Sequence, residues 1–75
     1  MKYLGFTVVV IPEQGQFASW CPELEIASQG DTVDEAIANI KEALELRIEG
    51  LSEKQLKEIK KHKSIMTTVK IPIPA

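Results

Sequence analysis

Only one segment of this chain carries the apolar period of a long helix, and the rest of the fold has to be built around it. Thr32-Val33-Asp34-Glu35 fits a capping box: the Thr32 hydroxyl accepts from the amide of Glu35, and the Glu35 side chain returns to the amide of Thr32. Asp31 and Asp34 add negative charge where the helix dipole is positive. Val33, Ala36, Ile37, Ile40, Leu44, Ile48 and Leu51 then recur at spacings of three and four, giving one apolar stripe from Val33 to Glu49. Gly50 is expected at the C′ position. One stripe covers one face of a sheet, so a single core is predicted.

The segments before the helix read as strands. Tyr3 to Ile11 (YLGFTVVVI) is β-branched and aromatic and stops at Pro12, which makes it a first strand. Its even positions are all apolar and its odd positions nearly so, so both faces call for cover. Pro12-Glu13-Gln14-Gly15 is turn chemistry, and Gln16 to Cys21 returns as the second strand of a hairpin, ended or bent by Pro22. Leu24 to Ser28 is a short third strand, closed by Gln29-Gly30.

After the helix, Ser52 as N-cap and Gln55 three residues on start a short second helix over about 52–62. Ile65 to Ile71 reads as a fourth strand, which Pro72 and Pro74 stop. The predicted architecture is a single α+β domain over residues 1–75 of order β-β-β-α-(α)-β. It is an antiparallel hairpin or meander sheet with one main amphipathic helix on one face. Its 75 residues leave no room for a second domain.

The side-chain inventory excludes most chemistry. Cys21 is the one cysteine and His62 the one histidine, so neither a disulfide nor a Cys/His zinc site can form within the chain. His62 sits in a lysine run, and no base is placed to activate Cys21 or a serine. The four glycines are isolated, which removes phosphate-binding loops. Hence no catalytic residue, cofactor or metal is expected. The N-terminus lacks the basic, apolar and cleavage regions of a signal peptide, so a cytoplasmic protein with no membrane contact is expected.

A formal charge of −2 argues against non-specific grip on nucleic acid and favours a basic partner. Glu42, Glu45 and Glu49 form an acidic band on the helix face away from the stripe, either simply solvated or a contact for such a partner. Lys57, Lys60, Lys61 and Lys63 suggest an RNA-binding face, a weaker reading without interleaved aromatics. The apolar first strand is the stronger signal. The helices can cover one sheet face, leaving Tyr3, Val9, Ile11 and either Trp20 or Phe17 on the other, so a homodimer or a partner complex is expected.

Several of these residues also form a longer pattern. Ser19-Trp20-Cys21-Pro22-Glu23-Leu24, then Ala27-Ser28-Gln29-Gly30-Asp31-Thr32, Glu35-Ala36-Ile37, Asn39-Ile40 and Glu42-Ala43-Leu44-Glu45-Leu46, resemble the HicB-type antitoxin domain over residues 1–49. Most of the pattern, including the capping residues Gly30, Asp31, Thr32 and Glu35, describes fold. The resemblance implies a partial RNase H-like arrangement with the fourth strand beside the first. It also implies a type II toxin-antitoxin protein that occludes the active site of a HicA-type toxin, a small basic mRNA-cleaving ribonuclease. Relatives that bind DNA do so through an added C-terminal domain for which this chain has no room, so no direct DNA binding is expected. RNase H-like nucleases hold metals with carboxylates on the first strand, the first helix and the fourth strand, and the two strands YLGFTVVVI and IMTTVKI have none, so the protein is expected not to be an enzyme. The alternative is an orphan homodimeric scaffold or ligand-binding module of the same fold.

Overall fold

A computed structural model describes residues 4–61 and 67–74. Three strands, β1 (Val9–Glu13), β2 (Gln16–Cys21) and β3 (Ile26–Gly30), form an antiparallel meander in the order β1-β2-β3. Helices α1 (Val33–Glu49) and α2 (Glu53–Lys61) follow, making an α+β fold. Tyr3, His62 and the first two residues of the expected fourth strand lie outside the described residues.

β2 has its expected span, Gln16–Cys21, whereas β1 and β3 are shifted from theirs, for local reasons. β1 begins at Val9: β2 ends at Cys21, opposite Val8, and the chain then turns at residues 22–25, so residues 4–7 have no β2 backbone to join. It also continues through Pro12, paired with Phe17. The turn is therefore only Gln14 and Gly15, both at positive φ (35° and 80°), as a two-residue hairpin loop requires. Pro12 is tolerated because β1 is an edge strand, where a missing donor can face away from β2. β3 starts at Ile26, not Leu24, after Glu25 turns the chain with φ 53°, and it includes Gln29 and Gly30.

α1 has the expected limits, and Thr32 Oγ1 accepts from the Glu35 amide at 3.0 Å. The return bond is displaced by one residue: Glu35 Oε2 accepts from the amide of Asp31, at 2.8 Å, not from that of Thr32. Gly50 is not left-handed either. Its φ is −84°, and its amide bonds the Arg47 carbonyl in a tightened last turn. α2 carries the complete reciprocal box, Gln55 N–H to Ser52 Oγ and Ser52 N–H to Gln55 Oε1.

α1 lies across β3 and β2 and only brushes β1. Cys21, Ile40 and Leu44 are the centre of the core, with Phe6, Val8, Leu24 and Ile26 packed around them. Phe6 and Val8, two of the even positions of the first apolar run, thus face the helix, as the alternation predicts. Small groups let the layers approach: a Cβ on Gly30 would lie 2.5 Å from the Ala36 nitrogen, and the buried Ser19 hydroxyl donates to the Ala36 carbonyl at 3.0 Å. The stripe is narrower than the sequence suggests. Ala36, Ile40 and Leu44 are buried, whereas Val33 and Ile37 are each 42% exposed, because β1 does not extend beneath that flank.

Residues 67–74 form no helix or strand, and every one is exposed. The described part of the expected fourth strand is therefore unpaired in the single chain. Strand structure needs an adjacent ladder, and Pro72 and Pro74 withdraw two of the donors a ladder would use.

Candidate functional site

The register of the sheet sorts the candidate residues. Side chains of paired residues share a face, so Val9 with Trp20, and Ile11 with Ala18, stand on the outer face, away from α1. Ala27 and Gln29 extend that face on β3. Phe17 belongs with the buried Ser19 and Cys21 on the helix-facing side, which settles the open choice in favour of Trp20. No element among the described residues covers the outer face. Ile11 is 47% and Trp20 39% exposed, next to half-buried Val9 and Ala18.

Glu42, Glu45 and Glu49 are exposed on α1. At 100° per residue they fall on the side opposite Ala36, Ile40 and Leu44, so the acidic band points away from the sheet. The candidates do not form one site. They make two surfaces of different chemistry, an acidic helix back and an apolar sheet face, on opposite sides of the domain. Tyr3, the remaining candidate, lies outside the described residues.

The capping residues are structural. Gly30 permits the close strand-to-helix approach, Thr32 and Glu35 tie off free amides, and Asp31 supplies one of those amides.

Two polar contacts were not singled out from the sequence. Glu23, just past β2, clasps the segment before β1: its carboxylate accepts from the Thr7 amide at 3.0 and 2.9 Å and from the Thr7 hydroxyl at 2.8 Å. It stands in for the strand that ended at Cys21, and holds residues 4–8 in line with the sheet. Partial burial pushes the Glu23 carboxyl up, but the bonds from Thr7 and its own amide outweigh burial, and the pKa lies below its ordinary value. The Cys21 thiol, 3.5 Å from Glu23 Oε1, is pushed up, first by burial and then by the Glu23 bond and charge, against the lowering effect of the Leu24 amide. That environment keeps it a thiol and not a nucleophilic thiolate. The second contact is Asn39 Nδ2 donating to the Gln29 carbonyl at 2.7 Å, which ties α1 to the outer edge of β3. The Pro-Glu-Leu turn and an asparagine on the helix flank were visible in the sequence, but their partners are 16 and 10 residues away.

A shallow groove separates the β2–β3 turn from α2, with Leu24, Arg47, Leu51 and Ile59 among its lining residues. It places α2 at the end of the sheet where β1 begins. Among the described residues no three His, Cys, Asp or Glu side chains converge, and no helix is long and apolar enough to cross a membrane.

Comparison with known proteins gives a partial likeness. The chain is 50% identical over 49 residues to the UPF0150 protein ssr1765 of Synechocystis sp.. The match covers 63% of this chain and 62% of that protein, so the chain spans less than two thirds of the relative's length. No family model matches, and no solved structure matches.

Proposed function

We propose that the protein is a non-enzymatic, HicB-like antitoxin domain that forms a homodimer and neutralises a HicA-type mRNA-cleaving toxin by covering its active site. The observation that carries this reading is the separation of the two surfaces: Glu42, Glu45 and Glu49 on the back of α1, and Val9, Ile11 and Trp20 on the bare sheet face. An acidic helix back suits a small basic ribonuclease, since complementary potentials speed encounter and fix register. An apolar sheet side suits a second copy of the chain, as in most self-associating proteins. Because the surfaces face opposite ways, both partners can be held at once. The residues shared with the HicB pattern support the same reading.

The test is an RNA-cleavage assay with a HicA-type toxin encoded beside this gene. Stoichiometric inhibition is expected, and it should be lost in the triple variant Glu42→Gln, Glu45→Gln, Glu49→Gln while Trp20→Ala retains it. Absence of a complex with any such neighbour would remove the antitoxin role and leave an orphan homodimer of the same fold.

A further inference from the structure

The two edges of the sheet are not equivalent. Backbone groups in an antiparallel strand point alternately to its two sides. The hairpin register turns Val9, Ile11 and Glu13 toward β2, so Val8 and Val10 present their N–H and C=O groups to the open side of β1. Thr7 obeys the same parity, its amide being taken on the β2 side by Glu23. The β3 edge is closed by comparison: Asn39 occupies the Gln29 carbonyl, and Glu25, with φ 53°, turns the chain below Ile26. β1 is the edge that can accept a strand.

Residues 67–74 have the properties of a strand that can pair on one side only. Val69, Ile71 and Ile73 alternate with Thr68, Lys70 and Pro72, and are 72, 73 and 89% exposed. Pro72 and Pro74 remove donors from one side of the segment, leaving the amides of Val69, Ile71 and Ile73 intact on the other. Docking that intact side on Val8 and Val10 has two solutions. An antiparallel strand sets the apolar side chains on the helix-facing side of the sheet, beside Phe6, Val8 and Val10. A parallel strand sets them on the outer face and puts Lys70 under the helix.

Ile37 decides between the two. It lies on the α1 flank opposite Asn39, therefore over the β1 side, and is 42% exposed with no strand beneath it. An antiparallel strand fills that space with Val69, Ile71 and Ile73. The same chain is poorly placed to supply it: α2 ends beside the β2–β3 turn, where β1 begins, so a strand continuing directly from α2 along its own β1 would run parallel. The radius of gyration, 15.1 Å against about 11 Å for a compact domain of this length, fits a segment that does not fold back on its own sheet.

We propose that residues 67–74 of one copy add to the β1 edge of a second copy as an antiparallel fourth strand, reciprocally, with Val69, Ile71 and Ile73 opposite Val10, Val8 and Phe6. Each copy contributes an arm and an edge, roughly 15 residues a side, toward the lower end of specific interfaces of about 1,200–2,000 Å². The arm extends the helix-facing apolar side of Phe6 and Val8, which pack against the core, and borders the outer face of Val9 and Ile11 with Thr68 and Lys70. This deepens the homodimer part of the reading above and is independent of any toxin.

In this register Lys70 faces Val9 as a non-hydrogen-bonded pair on the outer face, the geometry best suited to a disulfide across an antiparallel ladder. The experiment mixes full-length Val9→Cys and Lys70→Cys proteins under mild oxidation, with the native chain, whose Cys21 is buried, as control. A covalent heterodimer is expected in at least tenfold excess over the dimer from either variant alone. Light scattering at tens of micromolar should give a dimer for the native chain and a monomer for Ile71→Asp, with the far-ultraviolet helical signal retained because Ile71 lies outside the core and only the added strands are lost. A dimer that survives Ile71→Asp and does not cross-link would overturn strand exchange and leave the homodimer standing. A native monomer would overturn both. A cross-link formed within one chain of the double variant, and not between chains, would move the strand to its own sheet and also overturn the exchange.

Discussion

The two faces of β2 carry similar residues and have opposite fates. Phe17, Ser19 and Cys21 point at α1, and Ser19 and Cys21 are buried; Ala18 and Trp20 point outward, and Trp20 is 39% exposed. Hydrophobicity alone would place the tryptophan inside and the serine outside. Steric fit reverses that order, because α1 sits so close to β2 and β3 that only small groups fit beneath its first turns. Ser19 supplies a small side chain whose hydroxyl is satisfied by the Ala36 carbonyl, while the indole has no room there and turns to the uncovered face.

The comparison can be broken most forcefully at Ile40, fully buried under the helix. Ile40→Ala should cost about 3–4 kcal/mol in denaturant unfolding, whereas Trp20→Ala on the outer face should cost under about 1 kcal/mol to the isolated domain. Equal effects would mean that the outer face is covered within the chain. Next comes Gly30→Ala, whose methyl meets the α1 backbone. About 2–3 kcal/mol of destabilisation is expected, read as a lower thermal midpoint, while Gly15→Ala is costly only through its positive φ.

Glu23→Gln should cost about 1–2 kcal/mol by weakening the charge-assisted bonds from Thr7. It carries a pH signature as well. Because the folded pKa of Glu23 is below its ordinary value of 4.5, its stabilisation is complete above that value and is lost as pH falls through the folded pKa. The native chain should lose stability over that acid range, and the glutamine variant should lose less. The smallest effect is expected at Asn39→Ala, about 0.5–1 kcal/mol, since the Gln29 carbonyl it leaves is open to water. Faster amide exchange confined to β3 would show that Asn39 helps to close that edge.

Local grammar made much of this fold legible. Thr32 and Glu35 set the start of α1, the three-and-four spacing set its length, and Ser52 with Gln55 set the start of α2. These signals act within a few residues, so a sequence window contains both partners. Strand limits were less legible. Whether residues 4–8 pair depends on where β2 stops, and Glu23 takes over their alignment from 16 residues away. The acidic band could be placed on one helix face from the period alone, but its separation from Val9, Ile11 and Trp20 could not, because that depends on which side of the sheet the helix takes.

By itself, then, the sequence determined the identity and order of three strands and two helices, the N-cap residues Thr32 and Ser52, and a shortage of helix for a sheet with two apolar faces. The tertiary structure decided which face of β2 is inside, which edge of the sheet stays open and that Ile37 is left 42% exposed. The first set follows from hydrogen bonds and periodicity between residues close in the chain. The second follows from how closely one helix can approach a sheet, which is fixed by Gly30, Ser19 and Ala36 acting together in space.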